Sequence, residues 1–156
     1  MIEVRRSADR AFESMKSLGH VYHCPACGFR GHGKFPEPCP CGRRTDYAGP
    51  LWLGELHEPD FLAKMAGFNG KRDYSDRAEI SAMLELMGQE VGMPPYYFNI
   101  HELCKIGGRG DIPKKDLVIS SLGESGFRAS GTHFSPISIK TDAPIDRIKE
   151  VLGWRG

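Results

Sequence analysis

The chain lacks any apolar run approaching the ~20 residues that span a bilayer. Its first residues, Met1-Ile2-Glu3-Val4-Arg5-Arg6, have no apolar stretch of the kind that directs secretion. A cytoplasmic protein with no membrane partner is therefore expected. Also missing is the Gly-rich turn between strand and helix that a doubly wound nucleotide-binding sheet requires. The nearest candidate, Gly107-Gly108-Arg109-Gly110-Asp111, has the wrong spacing and follows a helix-like stretch. Its absence argues against a complete nucleotide- or cofactor-dependent enzyme. Cysteine is scarce, and the five present are an odd number, which fits reduced thiols and no disulfide framework. Charge of one sign is not in excess either: 21 Lys and Arg face 20 Asp and Glu, for a net charge of +1. Such a chain does not grip nucleic acid by bulk charge. No internal repeat and no low-complexity segment is found.

What is present suits one globular domain, or two small lobes sharing a core, with 40% hydrophobic and 26% charged residues in a chain of 156. The 19 glycines and 11 prolines predict many loops and short elements. Charge is unevenly spread. Residues 1–44 carry a net +4, residues 45–100 a net −5 and residues 101–156 a net +2. A polyanion would meet the basic ends, with the acidic middle turned away or used for protein contact. Ordinary solvated faces account for the pattern equally well.

Four cysteines fall into two close pairs, Cys24-Pro25-Ala26-Cys27-Gly28 and Pro38-Cys39-Pro40-Cys41-Gly42. Each pair can turn two sulfurs to one side, and the eleven residues from Gly28 to Pro38 are enough to bring the pairs together. This is the spacing of a structural Zn²⁺ site with Cys24, Cys27, Cys39 and Cys41 as ligands. Four thiolates and one Zn²⁺ would bring the chain to a net −1. All four coordination positions would be filled, leaving none for an activated water, so the role is structural. A redox dithiol or unliganded thiols are the alternatives, but a redox centre stands at a helix N-terminus, and the glycines and prolines after Cys27 preclude a helix there. His20, His23 and His32 lie nearby and are read as non-ligands. Cys104 is read as a buried, inert thiol.

Residues 2–6 alternate as a strand. Ser7 caps a helix whose apolar stripe is Ala8, Ala11, Phe12, Met15 and Leu18, stopped by Gly19. Short strands lead into and out of the cysteine loop. Residues 59–65 predict a helix and 67–73 a loop. Asp76 with Glu79 forms a capping box for a helix that buries Ile80, Met83, Leu84, Met87 and Val91. Asn99 with Glu102 opens another short helix. Pro113 starts a third, carrying Leu117, Val118 and Leu122 inward. Residues 127–142 alternate as a hairpin, and a last helix turns Ile145, Ile148 and Leu152 inward. The fold class is α+β with mostly antiparallel strands. Residues 1–72 form an N-terminal lobe with the zinc loop and a linker. Residues 73–156 form a helical lobe whose order of helix, helix and hairpin is winged-helix-like.

Four stretches together resemble the C-terminal domain of the tRNA (guanine-N2)-dimethyltransferase family, whose members methylate guanosine 26 of tRNA. They are Tyr22-His23-Cys24-Pro25-Ala26-Cys27-Gly28 with Cys39-Pro40-Cys41-Gly42; Ala48-Gly49-Pro50-Leu51-Trp52-Leu53-Gly54-Glu55-Leu56-His57; Pro95-Tyr96-Tyr97-Phe98-Asn99-Ile100-His101-Glu102-Leu103-Cys104-Lys105; and Arg128-Ala129-Ser130-Gly131-Thr132-His133-Phe134-Ser135-Pro136, closing on Ile139-Lys140-Thr141-Asp142-Ala143. The second and fourth are the more specific, and the resemblance is greatest to archaeal members. It implies that S-adenosylmethionine and an acidic catalytic motif belong to a separate N-terminal domain that nothing here matches. The short second cysteine pair departs from the usual spacing. The chain then reads as an excised domain or a free-standing version of it, and its opening strand favours excision.

No catalytic set is evident, so no activity is expected of this chain alone. The expected role is tRNA positioning, with tRNA and the methyltransferase domain of the same polypeptide as partners. RNA recognition by shape calls for cations and hydroxyls. Residues 126–140 offer Arg128, Ser130, Thr132, His133 and Lys140 with no acid; alternation puts Arg128, Ser130 and Thr132 on one face, and Arg128 and Lys140 are expected on a solvated surface. Arg30, Lys34, Arg43 and Arg44 around the cysteines either extend that surface or offset thiolate charge. Trp52 and Leu53 are either core or the contact to the methyltransferase domain. The competing reading is a stand-alone zinc-ribbon and winged-helix module for DNA or protein docking.

Overall fold

A computed structural model describes residues 6–154 of the protein. Most of the strand expected over residues 2–6 lies outside that range, and Arg6 is irregular. Helix α1 (Ala8–Lys16) starts at Ser7, whose hydroxyl accepts from the Arg10 N–H. It leads into a three-stranded antiparallel sheet of β1 (Leu18–His23), β2 (Arg30–Gly33) and β3 (Asp46–Trp52), with β1 in the middle. A helical hairpin follows, α2 (Pro59–Gly70) and α3 (Arg77–Gln89). The last part builds a second antiparallel sheet in the order β4 (Phe98–Asn99), β6 (Ser135–Thr141), β5 (Ala129–Thr132). Helices α4 (Ile100–Ile106), α5 (Lys115–Glu124) and α6 (Ile145–Val151) complete it. The fold class is α+β with antiparallel sheets, as the sequence indicates.

The main core sits in this last part, where Phe98, Leu103, Val118, Leu122, Ile139 and Ile148 are buried together. Each helix contributes residues three or four apart, so its apolar stripe meets the sheet. Asn99 caps α4 by accepting from the Glu102 N–H at 3.1 Å. Phe29, just after the first cysteine pair, packs against the same core. Gly28 has a φ of 74°, and a Cβ there would run into the Leu103 side chain. Glycine thus serves both the turn and the close approach of the cysteine loop to α4.

The structure differs from the sequence pattern at several points. The stripe of α1 is not buried: Phe12 is 63% exposed and no α1 residue is in a core. The helix ends at Lys16, and Gly19 sits inside β1, against the Gly33 carbonyl and the Leu53 side chain. Helix α2 runs on through Gly70, across the stretch expected to be a loop. Asp76 does not cap α3; its carboxylate accepts from the Ser75 hydroxyl instead. Of the expected α3 stripe only Leu84 is buried. Helix α5 begins at Lys115, and Leu117 is 61% exposed. A short two-layer arrangement has too little interior to cover every periodic stripe.

Ile148→Ala should therefore cost about 2–5 kcal/mol in urea-induced unfolding, because it opens a cavity in the main core. Leu117→Ala should fall within about 0.5 kcal/mol of the parent. Equal effects would show that the core has been wrongly located.

Candidate functional site

The two cysteine turns converge between β1 and β3. The first closes with the Gly28 N–H donating to the Cys24 carbonyl at 2.9 Å, the second with Gly42 donating to Cys39 at 2.9 Å. Both turn glycines have positive φ, 74° and 77°. The four sulfurs all lie within 4.8 Å of one another, and three pairs are at 3.2–3.7 Å. A tetrahedral site with metal–sulfur bonds of about 2.3 Å has sulfur–sulfur edges of about 3.8 Å. The cluster fits such a site with small adjustments, so the short Cys39-Pro40-Cys41 pair does not prevent convergence. As thiols, these groups influence one another strongly. Burial pushes Cys39 up to about 12, and the hydrogen bond from Cys39 chiefly pulls Cys41 down to about 7. Four thiolates this close need a cation to be ionised together. Cys24, Cys27, Cys39 and Cys41 could thus hold one metal ion, and His23 is not among the clustered donors.

A second cluster was not marked by the sequence reading. Glu90, which ends α3, is fully buried, and its carboxylate is the meeting point of three other segments. One oxygen accepts from both the backbone N–H and the ring Nδ1 of His133, each at 2.8 Å. The other lies 3.0 Å from Lys140 Nζ and 3.4 Å from His57 Nε2. An ionised carboxylate only accepts, so Nδ1 of His133 carries its proton here. Burial alone would raise the Glu90 pKa, but the bonds from the His133 backbone, Lys140, Thr132 and the His133 ring outweigh it and hold it at about 2. His57, Glu90 and His133 are close enough to hold a metal ion. Lys140 already supplies the neutralising charge, so the cluster is read as an ionic tie. The only signal in the sequence was indirect: His57, His133 and Lys140 stand in the two most specific stretches without any partner nearby.

This tie corrects the hairpin reading. Ser130, Thr132 and Lys140 are buried, Lys140 at 1% exposure, and none of them lies on a solvated face. Ser130 pairs with Lys140 across the strands, but the register shifts between Gly131 and Thr132, so simple alternation does not hold to the turn and Ser130, Gly131 and Thr132 are all buried. Arg128 is exposed, yet its guanidinium donates to the carbonyls of Val91 at 2.7 Å and Gly92 at 3.3 Å. His133 is half-buried on Glu90, and Arg30 is half-buried beside Glu102 at 3.6 Å. Lys34, Arg43 and Arg44 are exposed around the cysteine loop. Trp52 is 43% exposed, with its indole N–H on the Glu55 carbonyl at 3.2 Å, and Leu53 is half-buried. Trp52 is therefore not core. Every residue of β3 is exposed, so this edge strand, with Tyr47, Leu51 and Trp52, is an open and partly apolar strip whose neighbouring side chains alternate between faces.

Fold and site define an α+β domain that carries a four-sulfur centre. Residues 1–153 match the family model described as N2,N2-dimethylguanosine tRNA methyltransferase. The chain is 36% identical over 157 residues to the tRNA (guanine(26)-N(2))-dimethyltransferase of Methanobrevibacter smithii, covering 97% of this chain and 40% of that protein. It is 38% identical over 156 residues to the enzyme of the same name from Methanothermobacter thermautotrophicus, covering 97% and 41%. A solved structure, Trm1 from Pyrococcus horikoshii in complex with S-adenosyl-L-methionine, superposes with a TM-score of 0.79 at 27% identity, over 95% of this chain and 38% of that one. The chain belongs to the N2,N2-dimethylguanosine tRNA methyltransferase family and spans about two fifths of the length of these relatives. No helix among the described residues is long and apolar enough to cross a membrane.

Removing the carboxylate charge at the tie should leave Lys140 buried without a partner. Glu90→Gln should lower stability by about 3–5 kcal/mol, measured by urea unfolding at neutral pH. For the parent protein, the depressed pKa means that Glu90's contribution is complete above about pH 4.5. That contribution is lost as the pH falls through about 2. The difference between parent and Glu90→Gln should shrink over that window, and a difference independent of pH would contradict the assignment.

Proposed function

We propose that this chain is the tRNA-positioning part of a tRNA (guanine(26)-N2)-dimethyltransferase, corresponding to the family's C-terminal domain. Methyl transfer would take place in a separate part that binds S-adenosylmethionine. One observation carries the reading: the match runs along almost the whole chain but over only about two fifths of enzymes that methylate tRNA. The order β4–α4–α5–β5–β6 supports a winged-helix-like description of the last part. The four thiolates would hold a structural Zn²⁺ that fixes the loop bearing Lys34, Arg43 and Arg44. The apolar strip of β3, with Trp52 beside Leu53, and the open face of α1 would meet the methyltransferase part. A DNA-binding module is less well supported, since α5 carries Asp116 and Glu124 as well as Lys115.

Purified protein should contain one zinc per chain by elemental analysis, and folded protein without zinc would exclude the metal. Cys24→Ser should destabilise the β1–β3 sheet, because metal binding contributes directly to folding. Titration with an unmodified tRNA transcript at two salt concentrations should show weak binding that falls as salt rises. Arg43→Ala with Arg44→Ala should weaken it, and Glu85→Ala should leave it nearly unchanged. Calorimetry with S-adenosylmethionine should show no binding to this chain, and micromolar binding would overturn the division of labour.

A further inference from the structure

The turn of the β5–β6 hairpin presents an aromatic ring to solvent. Phe134 is 57% exposed. Its ring stacks on Tyr97 with centroids 6.0 Å apart and planes 20° apart, and the His133 ring lies 3.9 Å away. The turn is fixed by the Phe134 N–H donating to the Thr132 hydroxyl at 3.3 Å, and by His133 held on Glu90. Lys140 Nζ lies 5.7 Å from the Phe134 centroid. With Tyr97, His133 and Lys140 against it, the ring has already lost its rotamer freedom, so a flat ligand meets its exposed part without ordering it first.

Immediately beyond the turn, Pro136 and Ile137 line a groove of about 280 Å³ together with His101, Lys114 and Lys115. Pro136 follows Phe134 by two residues, roughly 7 Å along an extended strand. Lys115 reaches the hairpin: its Nζ is 3.5 Å from where a Cβ on Gly131 would stand. Neither lysine belongs to an ion pair among the described residues. An exposed aromatic ring near a groove lined by two lysines without an ion-pair partner among the described residues matches the two halves of a nucleotide. Unpaired bases of RNA are recognised in this way, by stacking on aromatic side chains with cations on the backbone. The strip on β3 differs, being apolar and without a cationic groove of this kind.

We infer that the hairpin turn and this groove bind an unpaired nucleotide of RNA, with its base on Phe134 and its phosphate at Lys114 and Lys115. The inference rests on the tRNA-positioning reading and names the contact within it.

The test uses the full chain, a fluorescein-labelled unmodified tRNA transcript, and a blunt RNA duplex with no unpaired nucleotide. Phe134→Ala should weaken tRNA binding about 5- to 150-fold, the usual effect of losing one stacked base. It should leave duplex binding unchanged. Phe134→Tyr should bind like the parent, and Phe134→Leu like Phe134→Ala. Lys114→Ala with Lys115→Ala should reduce the slope of log K against log salt by about 1.4, the loss of two phosphate contacts on a single strand. If the parent binds tRNA and Phe134→Ala binds equally well, this inference is overturned and the wider reading stands. It is also overturned if Phe134→Leu retains full binding, since an apolar cover such as a protein surface would then suffice. A parent protein that binds no tRNA overturns both. Thermal melts of each variant establish folding; should Phe134→Ala fail to fold, the Tyr and Leu variants and the lysine pair decide.

Discussion

The carboxylate of Glu90 ties together segments that no continuous core joins. It terminates α3, and its two oxygens receive the turn of the β5–β6 hairpin, the C-terminal end of β6 and the segment after β3. A buried carboxylate is costly unless every lone pair finds a donor. Here a backbone N–H, two rings and an ammonium supply them. The partners of such a charge cannot drift, because separating any one leaves another charge buried alone. The position of the hairpin relative to the α2–α3 unit is thereby set by geometry, where apolar contact alone would allow sliding. Arg128 strengthens the same joint from outside by donating to the carbonyls just after Glu90.

The four-sulfur cluster makes the other tie, with a different logic. The two loops that flank β2 have no apolar stripe to bury, and their glycines and prolines give them little intrinsic order. Convergent sulfurs provide the order, and Gly28 allows the first loop to sit on Leu103 of α4. Phe29 follows into the main core. The first sheet is thus attached to the second through the cysteine turn, leaving the far side of β3 and the apolar face of α1 open.

How well each part could be read in the sequence follows from the range of the forces involved. Local patterns were sufficient for α6, where Ile145, Ile148 and Leu152 all turn inward, and for the Asn99 cap, which depends on residues three apart. The cysteine pairs were legible because ligand spacing is a local property and the chelating geometry leaves few alternatives. The stripe of α1 was misread because periodicity shows that a face is apolar without showing what covers it. Lys140 was misread for a related reason. A stretch without acids has no ionic partner of its own only as far as local sequence goes, and Glu90 comes from an element far upstream. Phe134 carried no signal beyond being an aromatic in a turn; its stacking on Tyr97 exists only after β4 and β6 pair.

These two ties separate the surface into faces of different chemistry. Had the cations of residues 126–140 been solvated, the hairpin would have been a general polyanion surface, able to slide along any duplex. Burial of Lys140 and engagement of Arg128 remove that capacity. The hairpin retains one exposed ring and a groove with two lysines, a surface that would discriminate by shape and stacking more than by charge. The open apolar strip of β3 lies on the other sheet, which reaches the hairpin only through rigid joints. A domain that positions a large RNA for chemistry performed elsewhere needs this property. In the proposed role, contacts to the RNA and to the reacting partner would have to hold a fixed distance, and a buried ion pair with a four-cysteine cluster would fix that distance without a large core.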